Sequence, residues 1–167
     1  VFFRVAGHRN KPPFLLIHGF PSSSFYFKEL MKILSKKYYV IAPDLIGFGY
    51  SSIPSREEFK YTFDNEARIL NEALKILNVD KFYMYLFDWG VPLGFRLAIK
   101  NPNSILGIVI QNGSIYKNTF SKKREGLKDF WKDRESSKDI LESYLTPEMI
   151  FNNYAEENDR EIFIHCF

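Results

Sequence analysis

Short apolar runs, each bounded by turn formers and separated by segments of helical periodicity, constrain this chain more than any other feature. The runs are Phe14-Leu-Leu-Ile17, Tyr38-Tyr-Val-Ile-Ala42, Lys81-Phe-Tyr-Met-Tyr-Leu86 and Ile105-Leu-Gly-Ile-Val-Ile110. Runs of that kind suit strands buried on both faces, as in a parallel sheet. Val1–Val5 reads as a further strand. Ser22 to Ser24 can cap a helix whose apolar side is Leu30, Met31, Ile33 and Leu34. Thr62 or Asp64 can cap a longer one, with Ala67, Ile69, Leu70, Ala73, Leu74 and Leu77 at helical spacing. A third helix runs to about Lys100, where Asn101-Pro102 breaks it. Strand and helix alternate to about residue 112, which implies βαβ units and a mostly parallel α/β sheet flanked by helices.

From Lys117 onward the texture changes to charged, helix-rich sequence. Phe120, Leu127, Phe130 and Trp131 form one amphipathic segment, Ile140, Leu141 and Leu145 another, and Pro147 can start a third. The expected division is an α/β core over residues 1–115 and a partial helical cap over 116–167.

Composition narrows the function classes. At 46% hydrophobic and 17% aromatic the chain can bury a core, which excludes disorder. The net charge of +3 is small, and only Lys36-Lys37 and Lys122-Lys123-Arg124 cluster, so no nucleic-acid surface is expected. No apolar run approaches the roughly 20 residues that span a bilayer. The single Cys166 allows no internal disulfide and fits a reducing, cytoplasmic location. The opening on Val1 and the end at Ile164-His165-Cys166-Phe167 read as a fragment.

Three short motifs occupy the loops after successive strands: His18-Gly19-Phe20-Pro21, Asp44-x-x-Gly47-x-Gly49-x-Ser51, and Asp88-Trp89-Gly90. The last sits where a strand turns sharply into a helix. Asp88 there has two readings. It can be a helix N-cap, for which Asp is a preferred residue. It can also be a nucleophile presented at a strand-to-helix elbow, with the positive end of the following helix stabilising its charge.

With these motifs in this order, the chain resembles the α/β-hydrolase superfamily. It looks most like the branch with an Asp nucleophile, the epoxide hydrolases and haloalkane dehalogenases. The resemblance runs from about residue 1 to at least residue 155 and is firmest over the first 115. It implies that Asp88 attacks carbon to give a covalent ester, which a water activated by a His then hydrolyses. It also implies that the backbone N–H groups of Phe20 and Trp89 receive the charge on the ester oxygen. His18, Gly19, Pro21 and Gly90 are supporting residues, and His18 is not expected to be the base. Leu86 departs from the small residue usual two positions before the nucleophile. Asp44 is expected to be structural, accepting backbone N–H bonds in the Gly47/Gly49 turn. Trp89 either contacts a leaving halide through its indole N–H or lines the pocket.

Epoxide hydrolysis is the first expectation and dehalogenation the second. His18-Gly-Phe-Pro21 is the usual form in epoxide hydrolases, whereas many dehalogenases place Asn at the position of Phe20. Tyr116, Tyr144 and Tyr154 are candidate donors to an epoxide oxygen, by region only. No metal and no organic cofactor is implied, and the expected partner is a small apolar epoxide, haloalkane or haloacid. The catalytic His and its acidic partner have no counterpart before Phe167, so the chain by itself is expected not to turn over. An inactive binding remnant is the alternative. An isolated chain with an open sheet edge is expected to aggregate or be partly molten.

Overall fold

The structure, a computed structural model, describes residues 1–116 together with Asp133 and Thr146. Val1–Ile115 belongs to one compact unit, and a second begins at Tyr116. The helical cap expected over 116–167 therefore lies almost wholly outside the described residues.

Five strands form one sheet: β1 (Phe3–Ala6), β2 (Pro13–Ile17), β3 (Tyr39–Pro43), β4 (Phe82–Phe87) and β5 (Ile105–Gln111). Their order is β1-β3-β2-β4-β5. β1 runs antiparallel to β3, and every other pairing is parallel. Three α-helices make the crossovers: α1 (Lys28–Leu34), α2 (Phe63–Ile76) and α3 (Gly90–Lys100).

Alternation along β2 explains why its sequence is apolar throughout. Leu15 and Ile17 join a cluster with Ile41, Met84, Leu86, Leu70, Leu74, Leu93 and Leu97, the side of α2 and α3. Phe14 and Leu16 point to the other face, with Phe27, Met31, Val40 and Ala42. A strand that feeds two cores has no polar position to spare. The chain leaves β2 for β3 on one side and then returns past β2 to β4 on the other. The direction of winding thus reverses between β2 and β4. In open α/β sheets that reversal leaves a crevice at the carboxyl ends of the two strands. His18 follows β2 and Asp88 follows β4, so two of the three motifs meet there.

Boundaries differ from the sequence expectation by one or two residues at several elements. Ser23 caps a short 3-10 turn, Ser24–Phe27, before α1 begins; its hydroxyl accepts the Phe25 N–H. Thr62 caps α2 by accepting from the N–H of Asn65. The expectation of a buried strand at Ile105–Ile110 needs correction. Among the described residues β5 is an edge strand, and its Leu106, Ile108, Val109 and Ile110 are 38–49% exposed. Apolarity on both faces gives a strand the capacity for burial, but a neighbour is needed to complete it. The five runs read as strands in the sequence correspond to the five strands among the described residues. No helix among them is long and apolar enough to cross a membrane.

Candidate active site

Asp88 sits at the turn between β4 and α3 with φ +49°, in the left-handed region that non-glycine residues seldom adopt. Two backbone bonds hold it there. Its N–H donates to Gln111 O at the end of β5 (3.2 Å), and its carbonyl accepts the Val91 N–H (3.1 Å). Helix α3 begins at Gly90, and no side chain caps it. The Asp88 carboxylate is thus not a helix cap, which removes the simpler of its two readings. Its Oδ1 accepts the backbone N–H of Phe20 at 3.0 Å. A side chain on Gly19 would collide with Asp88, so the glycine is what lets the loop after β2 lie against the carboxylate.

The orientation of the Phe20 N–H has a specific cause. The Gly19 carbonyl accepts three hydrogen bonds, from His18 Nδ1 (2.9 Å), Ser22 Oγ (2.9 Å) and Ser22 N (3.1 Å). The C=O and N–H of a trans peptide point in opposite directions. Anchoring Gly19 O on the protein side therefore aims Phe20 N–H at Asp88. The Phe20–Pro21 peptide that follows is cis.

His18 is fully buried, and both ring nitrogens are committed. The Leu45 N–H donates to Nε2 at 3.0 Å, so Nε2 carries no proton. Nδ1 must then be the protonated nitrogen that donates to Gly19 O. Burial pushes the imidazole down to about 4, against opposing contributions from Gly19 and Asp44. A neutral ring with both nitrogens paired is a structural joint between two loops and has no lone pair left for a water. His8, the other histidine among the described residues, is exposed in the N-terminal loop.

Asp44 is also fully buried. Oδ1 accepts from Ser24 N (2.7 Å) and Oδ2 from Tyr50 N (2.8 Å), and its carbonyl accepts the Ser51 hydroxyl. The bond to Tyr50 lies in the glycine turn, whereas the bond to Ser24 reaches back to the 3-10 turn after β2. The carboxylate thus ties the loops after β2 and β3 together.

Trp89 is half-buried and stacks on Phe20, with centroids 4.6 Å apart and planes at 26°. Phe20 also meets Phe48 edge-on at 6.1 Å. Leu86, the departure from the small residue usual at that position, is fully buried, and its methyl groups occupy the place a side chain on Gly94 would fill. Sequence reasoning missed that pairing; the only signal was a glycine inside a helix. Gly90 similarly lets the start of α3 approach the carbonyls of Ile17 and His18.

The structure brings together Asp88, Trp89, Phe20, Gly19 and His18 at the ends of β2 and β4. Tyr116 is 69% exposed and belongs to the second unit; Tyr144 and Tyr154 lie outside the described residues. No group of three or more His, Cys, Asp or Glu among the described residues is placed to hold a metal. A groove of about 440 Å³ beside β1 and α1 is lined by Phe2, Arg4 and Met31 among others, and by none of the residues around Asp88.

Comparison with known proteins agrees with this fold. A family profile described as alpha/beta hydrolase fold matches residues 12–136. An uncharacterized hydrolase of Saccharomyces cerevisiae is 42% identical over 146 residues, which are 87% of this chain and 50% of the yeast protein. Haloalkane dehalogenase 2 of Mycobacterium tuberculosis is 35% identical over 101 residues, 60% of this chain and 35% of that protein. Among solved structures, haloalkane dehalogenase DbeA from Bradyrhizobium elkani superposes with a TM-score of 0.63 at 32% identity, covering 66% of this chain and 37% of that one. A proposed ancestral haloalkane dehalogenase superposes with a TM-score of 0.81 at 25% identity, covering 97% and 59%. The chain spans half or less of the length of the curated relatives described here. The profile match over most of the chain and the sheet order, with its elbow at Asp88, lead to one conclusion: this chain belongs to the α/β-hydrolase fold family.

Proposed function

We propose that Asp88 is the nucleophile of a hydrolase that works through a covalent alkyl ester. The observation that carries this reading is the Phe20 N–H on Asp88 Oδ1. One carboxylate oxygen is held by an aimed backbone donor, and the other, Oδ2, accepts no hydrogen bond from the described residues. In the reaction Oδ2 forms a bond to carbon. Oδ1 becomes the ester carbonyl oxygen, where negative charge gathers when water adds to the ester. Phe20 N–H and Trp89 N–H serve as the donors to that charge.

Epoxide opening is the first reading. Asp88 forms a C–O bond, the ring C–O bond breaks, and the alkoxide takes a proton, leaving a hydroxyalkyl ester. Phe20 supports it, because its ring offers an apolar wall where an amide would hold a halide. Tyr116, Tyr144 and Tyr154 remain the candidate proton donors, from a cap proposed over 116–167. Dehalogenation is the second reading, favoured by relatives described as haloalkane dehalogenases. There the C–halogen bond breaks, halide departs, and the Trp89 indole N–H is the candidate contact. Either ester then needs a base for hydrolysis. His18 is committed to Leu45 and Gly19, so we assign the base to a residue outside those described.

Intact-protein mass spectrometry after incubation with a panel of epoxides and short haloalkanes tests this. An epoxide should add its whole mass. A haloalkane should add its alkyl group, with halide released to solution. Asp88→Asn should show neither. A folded chain that acquires no mass from any member of the panel would favour a binding remnant.

A further inference from the structure

Phe63 is the first residue of α2, set in place by the Thr62 cap. Its ring meets Trp89 edge-on, with centroids 6.0 Å apart and planes at 84°. On another side the Arg96 guanidinium lies 5.4 Å from the Phe63 centroid. The Arg96 Nε donates to Asp64 Oδ1 (2.7 Å), and a terminal nitrogen donates to Pro92 O (3.0 Å). The contacts run on from Trp89 to Phe20, then Phe48, and end edge-on at His18, 5.4 Å away. One series of rings thus links a clamp between α2 and α3 to the residues that surround Asp88.

We propose that Phe63 is a positioning residue for this site: it fixes the indole plane of Trp89, and through it the Phe20 loop, from 26 residues away in sequence. The role rests on the nucleophile reading of Asp88 and goes beyond it in assigning a site function to α2. An indole stacked on Phe20 alone can still slide or tilt about that face. A perpendicular ring at its edge removes that freedom, since edge-to-face contact has a directional minimum. The Phe20 N–H holds Asp88 Oδ1 and so orients Oδ2 for attack; loss of the Trp89 seat, and of the Phe20 loop stacked on it, should misalign the nucleophile and weaken ester formation and not only the fold.

The chain has two tryptophans, Trp89 and Trp131. In a Trp131→Phe background, Trp89 fluorescence reports its own seat. Phe63→Leu should raise iodide quenching of Trp89 about threefold, and Phe63→Tyr should leave it within about twofold of the parent, because the ring and its edge are kept. On the same variants, the rate of adduct formation with the most reactive electrophile should fall about tenfold for Phe63→Leu and recover in Phe63→Tyr. If Phe63→Leu does not fold, Arg96→Met, which frees the outer side of Phe63, takes its place and should raise quenching about twofold. Unchanged quenching in these variants, or a changed indole with an unchanged adduct rate, would overturn the proposal. If no variant and no parent forms an adduct, the nucleophile reading falls, while the quenching comparison still decides whether Phe63 seats Trp89.

Discussion

At the scale of single residues, the site is governed by which atoms are already engaged. His18 donates from Nδ1 and accepts at Nε2, and Gly19 O takes three donors, so one peptide N–H is aimed with no side chain of its own involved. Leu86 and Gly94 show the same economy in packing. The larger residue at the elbow is accommodated one turn into α3 by a missing side chain. Gly94→Ala should therefore destabilise the chain by about 1–2 kcal/mol, overpacking outweighing the helix propensity gained. In a Leu86→Ala background the same substitution should become stabilising by about 0.5–1 kcal/mol. Urea unfolding of the four chains checks this; additivity of the two substitutions would contradict the pairing.

Among the elements, α2 does more than its amphipathic pattern announces. Besides Phe63, its first turns carry Glu66, half-buried, whose Oε2 accepts the Ile46 N–H (3.2 Å) in the loop beyond β3. Burial pushes this carboxyl up to about 7, although the Ile46 bond and the chain's amino terminus pull it down. A carboxyl raised in the fold binds a proton there that the unfolded chain has released. Its contribution to stability is complete below about pH 4.5 and is lost as the pH rises through 7. His18 acts in the opposite sense. Lowered to about 4, it costs stability as the pH falls from about 6.5, where the unfolded ring gains its proton. The two effects oppose each other between about pH 4.5 and 6.5. Glu66→Gln keeps an acceptor for Ile46 N–H and removes the titration. Relative to the parent it should gain about 1–2 kcal/mol on going from pH 5 to pH 8, the half-buried position screening part of the shift. A variant whose urea midpoint tracks the parent at both pH values would contradict this.

The legible and illegible parts of the sequence divide along the same line. Strands and helices were readable because Phe14–Ile17 or Ala67–Leu77 carry their period within one segment. Asp88 was readable because its turn, its glycine and its flanking elements are adjacent in the chain. Phe63, Glu66 and the Leu86–Gly94 contact were not, since each acts on a partner brought near only by the fold. In sequence, Phe63 and Glu66 look like any first-turn residues of a capped helix.

On the scale of the whole molecule, the described sheet presents two unlike edges. β1 is short and antiparallel, whereas β5 offers a seven-residue parallel edge with Leu106, Ile108, Val109 and Ile110 open to solvent. An edge with that apolar content is a template for association. The chain should show concentration-dependent light scattering at micromolar levels, and a Leu106→Lys/Val109→Lys variant should scatter less. Equal scattering from both would place the association elsewhere. The same sheet brings the ends of β2 and β4 together and so makes the Phe20 N–H and the Asp88 carboxylate neighbours across 68 residues of chain. That juxtaposition is the centre of the account. The measurement that tests it most directly is fragment mapping of the alkylated protein by tandem mass spectrometry. The account predicts that the added mass from an epoxide or haloalkane resides on Asp88. Label on Asp44, on Glu66 or spread over surface carboxylates, with Asp88 unmodified, would contradict it.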